Sequence, residues 1–130
     1  MSTRFLVAAS RACKLPVALL ICAAALGGCV GSTMTSARNA PPTEVLASEK
    51  AAQRVAECIE FSWQSEAMFG IDANAYLNAG KDGMFTVYTR EAAYFVDVRA
   101  QGAGATLNFY APTQPSAVTD TRLAAIATCL

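Results

Sequence analysis

The chain contains no histidine. That absence removes the commonest general base, the Ser/His and Cys/His pairs of nucleophilic catalysis, and the commonest transition-metal ligand. Excess charge is missing too: ten Lys and Arg stand against ten Asp and Glu over 130 residues. No basic field for nucleic acid exists, and no nucleic-acid partner is expected. Charged residues make up only 15% and hydrophobic residues 54%, which excludes a disordered or fibrous chain. There is no G-x-S-x-G, no Walker loop and no Cys-x-x-Cys pair. Gly102-x-Gly104 lacks the third glycine of a dinucleotide loop and the helix that should follow it, so it reads as a turn. Asp72-x-Asn74-x-Tyr76 opens like a calcium loop. Leu77 then stands where Gly is required and Gly83 where a bidentate Glu is required. A metal site would rest on carboxylates alone, a weak set for zinc, so no metal and no cofactor are expected.

What is present begins with an address. Arg4, Arg11 and Lys14 precede an apolar run from Leu15 to Leu26, followed by the small residues Gly27 and Gly28. This is the charged, apolar, small-residue order of a secretory signal. The run is about twelve residues, against roughly 20 for a transmembrane helix. Leu26-Gly27-Gly28-Cys29 resembles the lipobox of bacterial lipoproteins. The resemblance implies cleavage between Gly28 and Cys29 and a lipid, with palmitate among its acyl chains, on the Cys29 sulfur. It implies a cell-envelope protein held by a lipid anchor. Residue 30 is Val rather than the Asp of inner-membrane retention, which implies the outer membrane, on its periplasmic or surface face. Each buried methylene contributes roughly 0.8 kcal/mol, so three chains make an effectively permanent anchor.

The remainder divides in two. Residues 29–42 combine the lipidated cysteine with a stretch rich in Ser, Thr, Asn, Gly and Pro, read as a flexible tether. Residues 43–130 form a single small α+β domain. Once Arg4, Arg11 and Lys14 depart, seven cations face ten acids, a net charge of −3. Thr43 reads as the N-cap of a helix running to about Met68, with Ala52, Val55, Ile59 and Trp63 on one stripe. Trp63 continues that stripe and is assigned to the core.

Residues 73–78, 84–90, 93–100 and 106–111 alternate as strands, the first of them weakly. Asp82-Gly83 and Gly102-Ala103-Gly104 mark turns. A last helix starts near Ser116, with Val118, Leu123, Ile126 and Leu130 apolar. The expected architecture is a two-layer sandwich: helix, three- or four-stranded antiparallel sheet, helix, with both helices on one sheet face.

Cys58 and Cys129 each lie beside an apolar helix stripe, and the signal reading implies an oxidising compartment. Two cysteines allow one pairing, so a Cys58–Cys129 disulfide is expected. The sheet face away from the helices carries Tyr88, Phe95 and Tyr110 among Thr86, Asp97, Arg99 and Asn108. Aromatics ringed by polar side chains describe an interface, and Tyr88, Phe95, Tyr110 and Arg99 are the candidate partner surface. The same face also fits a solvated sheet, with Asp97 and Arg99 exposed.

An early helix with Cys58, Trp63 five residues on, strands, and a closing Cys129 resemble small uncharacterised lipoproteins of proteobacteria, some carried by prophages. That resemblance implies an envelope role and no reaction. The first expectation is a non-enzymatic, membrane-tethered binding module for another envelope protein. Two alternatives stay open. One is a cell-wall-acting enzyme whose paired carboxylates, from Glu57, Glu60 and Asp97, stand roughly 5–9.5 Å apart. The other is a structural subunit of an envelope assembly.

Overall fold

Five antiparallel strands form one sheet in the order β1-β5-β4-β3-β2. They are β1 (Glu44–Ser48), β2 (Ala75–Ala79), β3 (Phe85–Thr89), β4 (Phe95–Gln101) and β5 (Gly104–Tyr110). Helices α2 (Ala52–Gln64) and α3 (Ala117–Cys129) pack together on one side. The structure is a computed structural model and describes residues 30–130. The signal segment, the Gly28–Cys29 cleavage point and the lipidation residue Cys29 lie outside the described residues.

The period-2 pattern accounts for the sheet. Val87, Val96, Val98, Leu107 and Phe109 point to the helices and have no exposed surface. Their alternates, Thr86, Tyr88, Phe95, Asp97, Asn108 and Tyr110, occupy the other face. Gly102, at φ 61°, opens the two-residue turn between β4 and β5, where L-residues are disfavoured and Gly is not. The α2 stripe Ala52, Val55, Ala56, Ile59 and Trp63 is buried as the helical spacing requires. Trp63 has no exposed surface and meets Phe109 edge to face at 6.3 Å.

Three expectations change. The first helix does not begin at Thr43: residues 44–48 are strand β1, and α2 starts at Ala52 behind an uncapped Ala51. Leu46 faces Leu107 in the β1–β5 register. The Thr43 hydroxyl, expected as a helix cap, instead accepts the Ala111 amide at 3.0 Å and pins β1 to the end of β5. The sheet therefore has five strands rather than three or four. Residues 30–37, expected as coil, are helical (α1), with Val30, Met34, Ala37 and Arg38 half-buried at helical spacing.

The β2 edge of the sheet is covered by side chains of α2. At β2, the Leu77 amide donates to Glu60 Oε1 at 3.0 Å and Gln64 Nε2 donates to the Ala75 carbonyl at 3.0 Å. Side chains of α2 thus occupy backbone groups that would otherwise recruit another strand. The Cys58–Cys129 disulfide is formed and joins α2 to the end of α3, across a Cα–Cα distance of 5.7 Å and a sequence separation of 71.

Candidate functional site

At the centre of the sheet face opposite α2 and α3, Asp97 is 4% exposed and Phe95 2%. What covers them is Arg38, from the turn that ends α1. Arg38 Nε donates to Asp97 Oδ2 and Nη2 to Asp97 Oδ1, each at 2.7 Å. This two-pronged geometry is the strongest form of the Arg–carboxylate pair. Nη2 also donates to Thr86 Oγ1 at 3.2 Å, and Thr86 Oγ1 donates to Asp97 Oδ1 at 2.7 Å. The guanidinium lies 5.2 Å from the Phe95 ring centre, and Phe95 stacks on Tyr110 at 4.4 Å with only 10° between planes. Hydrogen bonding to Asp97 raises the Arg38 pKa further above its ordinary value, against the opposing effect of burial. Burial, then the Asp97 charge, pushes the Tyr110 phenol up.

This cluster corrects one expectation and divides another. Asp97, expected to be exposed, is buried, because Arg38 supplies both the opposite charge and the cover. Of the candidate partner residues, Phe95 lies on the predicted face but is sealed, while Tyr88 and Tyr110 are half-buried. Of the four, only Arg99 is exposed, in a 3.4 Å pair with Asp82. Tyr88 extends the aromatic row towards β2 and contacts Tyr76 at 5.6 Å. Arg38 falls in the stretch that reads as a tether, and no local pattern marks it as the occupant of this site.

No family model, curated protein or solved structure matches the chain. The site must therefore be read from its own chemistry.

The carboxylates weighed as a catalytic pair are not brought together. Glu57 accepts from Gln53 on the exposed side of α2, and Glu60 holds the β2 edge. Asp97 lies across the sheet from both. Among the described residues, no group of three or more His, Cys, Asp or Glu side chains is placed to hold a metal, and no helix is long and apolar enough to cross a membrane.

A second ionic cluster escaped the sequence reading. Arg122 of α3 and Glu66, on the 3₁₀ turn after α2, meet at 2.9 Å with side chains 2% and 4% exposed. The Arg122 guanidinium is 5.0 Å from the Trp63 ring centre and 5.9 Å from that of Tyr94. It donates to the Asp72 carbonyl at 2.6 Å, and Trp63 Nε1 donates back to the Arg122 carbonyl at 3.2 Å. Glu66 Oε1 and Arg122 Nε lack a hydrogen-bond partner, and Glu66 Oε2 meets Arg122 Nη1 as an ion pair outside hydrogen-bond geometry. Burial raises the Glu66 pKa, and the nearby Arg122 charge only partly offsets it.

A cavity of about 340 Å³ adjoins this cluster, lined by Ile71, Thr89, Arg90, Tyr94, Val118 and Arg122 among others. One of its walls is the β3–β4 connection. There Glu91 and Ala92 both adopt positive φ, 59° and 53°, at a cost of about 1–3 kcal/mol each. The Thr89 amide donates to the Tyr94 carbonyl at 2.9 Å, and the Tyr94 amide donates to Thr89 Oγ1 at 3.1 Å. These bonds hold the strained loop and set Tyr94 against Arg122.

Proposed function

We propose that the protein is a non-enzymatic lipoprotein of the bacterial cell envelope, anchored through Cys29, and that the sheet face away from α2 and α3 is its binding surface for another envelope protein. One observation supports this reading above the rest. The segment that follows Cys29 is docked on that face through Arg38, nine positions further on. Residues 30–37 rise roughly 12 Å as a helix. An anchor at Cys29 therefore keeps the sheet close to the bilayer in a set orientation, where a coil would let it drift. The aromatic row Tyr76, Tyr88, Tyr110 and the charged rim of Arg99 and Asp82 then meet partners in the same membrane. A polar rim around aromatic side chains is the usual composition of a transient interface.

The test has two parts, both in intact cells. Radiolabelled palmitate should enter the wild-type chain and not a Cys29→Ser chain. A photo-crosslinker at Arg99, on the same face as Tyr88 and Tyr110, should capture one discrete envelope protein that the same group at Gln53, on the outer side of α2, does not. Replacing Tyr88 and Tyr110 together with Ser should abolish that capture while leaving the fold intact. Failure of palmitate to enter removes the anchor, and equal capture from both faces removes the binding surface.

A further inference from the structure

Asp97, Thr86 and Phe95 form a pocket whose chemistry is specific to one kind of side chain. A buried carboxylate offers two oxygens in one plane, a hydroxyl adds an acceptor beside them, and an aromatic face lies within cation–π range. An ammonium would fill only part of this, since it is a point charge without the planar fork. None of the three side chains belongs to the segment that supplies the guanidinium. Arg38 is 48 residues from Thr86 and 59 from Asp97.

Arg38 is the side chain by which that segment enters the pocket, while Val30, Met34 and Ala37 are half-buried along the same helical face. Its neighbours are the small residues Ser36, Ala37, Asn39 and Ala40. A surface cleft of about 380 Å³ runs beside it, lined by Ala37, Ala40 and Pro41 on one side and by Tyr110 and Pro112 at the end of β5 on the other. The contact has the form of a charged side chain inserted, from outside the sheet, into a pocket that the sheet alone builds.

We infer that the Asp97–Thr86–Phe95 pocket is a receptor for an arginine side chain, occupied here by the chain's own Arg38, and that a partner engages it by presenting an arginine flanked by small residues in Arg38's place. The second half rests on the binding-module reading above. The first half does not, and neither needs the lipid.

The test uses the full chain in detergent micelles, with Arg38→Ala to vacate the pocket. The probes are a synthetic peptide of residues 31–43 and the same peptide with Arg38→Ala or Arg38→Lys. Binding is followed by the amide shifts of Thr86 and Asp97. The arginine peptide should bind the vacated chain at least roughly tenfold more tightly than either altered peptide, and roughly tenfold more tightly than it binds wild type, where Arg38 competes. Adding Asp97→Asn should abolish the preference for arginine.

Equal affinity for the arginine and alanine peptides overturns the inference, as does equal affinity for vacated and wild-type chains. Should Arg38→Ala fail to fold, an Arg38→Lys chain serves as host, because it keeps the charge and loses the fork. Unfolding of both makes Arg38 a permanent structural part and overturns the receptor reading. Palmitate labelling is decided independently, so failure here leaves the anchor standing.

Discussion

Replacing Arg122 with Met should unfold a large part of the stability reserve, and the size of the loss follows from its surroundings. Among the described residues, the guanidinium is the only charge opposing Glu66 at contact distance, and both side chains are almost wholly removed from water. Met keeps the length of the stem but strips the bond to the Asp72 carbonyl and the cation from between Trp63 and Tyr94. Glu66 is left buried and unpaired. Breaking such a pair from one side costs about 3–5 kcal/mol, against a net stability of about 5–15 kcal/mol for a domain. With a urea slope of about 1–3 kcal/mol/M, the midpoint should fall by roughly 2 M.

The partner substitution gives the discriminating result. Adding Glu66→Leu to Arg122→Met removes both desolvation penalties and should restore most of the loss, since apolar replacements of buried pairs are often neutral. The pH dependence carries a definite sign. The folded-state pKa of Glu66 is raised, so the folded protein binds its proton more tightly than the unfolded chain does. The penalty for its charge is absent below the unfolded pKa and grows as pH rises through the raised folded pKa. The cost of Arg122→Met should therefore shrink on acidification towards the unfolded value. Urea unfolding with the disulfide intact, across the acid range, measures all of this. A loss below about 1 kcal/mol for the single change, or one that grows on acidification, would refute the account of the pair.

Two further outcomes follow from the fold. Replacing Cys58 and Cys129 with Ala opens a loop of separation 71. This should lower stability by roughly 4 kcal/mol on the chain-entropy model, and urea titration of the double variant beside the wild type with and without reductant checks it. Gly104→Ala should loosen β1 specifically, because a Cβ there would run into the Ser48 carbonyl and the Glu49 backbone. The cost should be about 1–3 kcal/mol, as for overpacking elsewhere. Hydrogen exchange should then accelerate in 44–48 and not in β3; uniform exchange throughout the sheet would contradict it.

Strands β2 to β5, their turns and the α2 stripe were legible in the sequence because each rests on spacing between near neighbours. Val96 and Val98 alternate with Asp97, Gly102 sits at a positive-φ turn, and Val55, Ile59 and Trp63 recur at helical intervals. The disulfide was legible by counting, since only Cys58 and Cys129 remained to pair. β1 was not. Glu44-Val45-Leu46-Ala47-Ser48 contains good helix formers, and its strand conformation comes from hydrogen bonds to β5, about sixty residues away. Arg122 carries a periodic signal: Ile126 and Cys129 follow it at four and seven on the buried stripe of α3. Arg38 carried none, since a lone cation in a polar segment looks solvated.

For β2 to β5 and for α2, the amino-acid order alone settled which residues form the element and which side of it faces the core, because burying apolar area there needs only a repeating pattern along the chain. Where the charges go was decided by the assembled fold. A carboxylate on β4 and a guanidinium outside the sheet have no mutual influence in an extended chain. Once strands bring Thr86 and Phe95 beside Asp97 and exclude water, the uncompensated charge becomes costly enough to draw Arg38 onto it. The face expected to lie open thus acquired an occupant from the stretch expected to hang free.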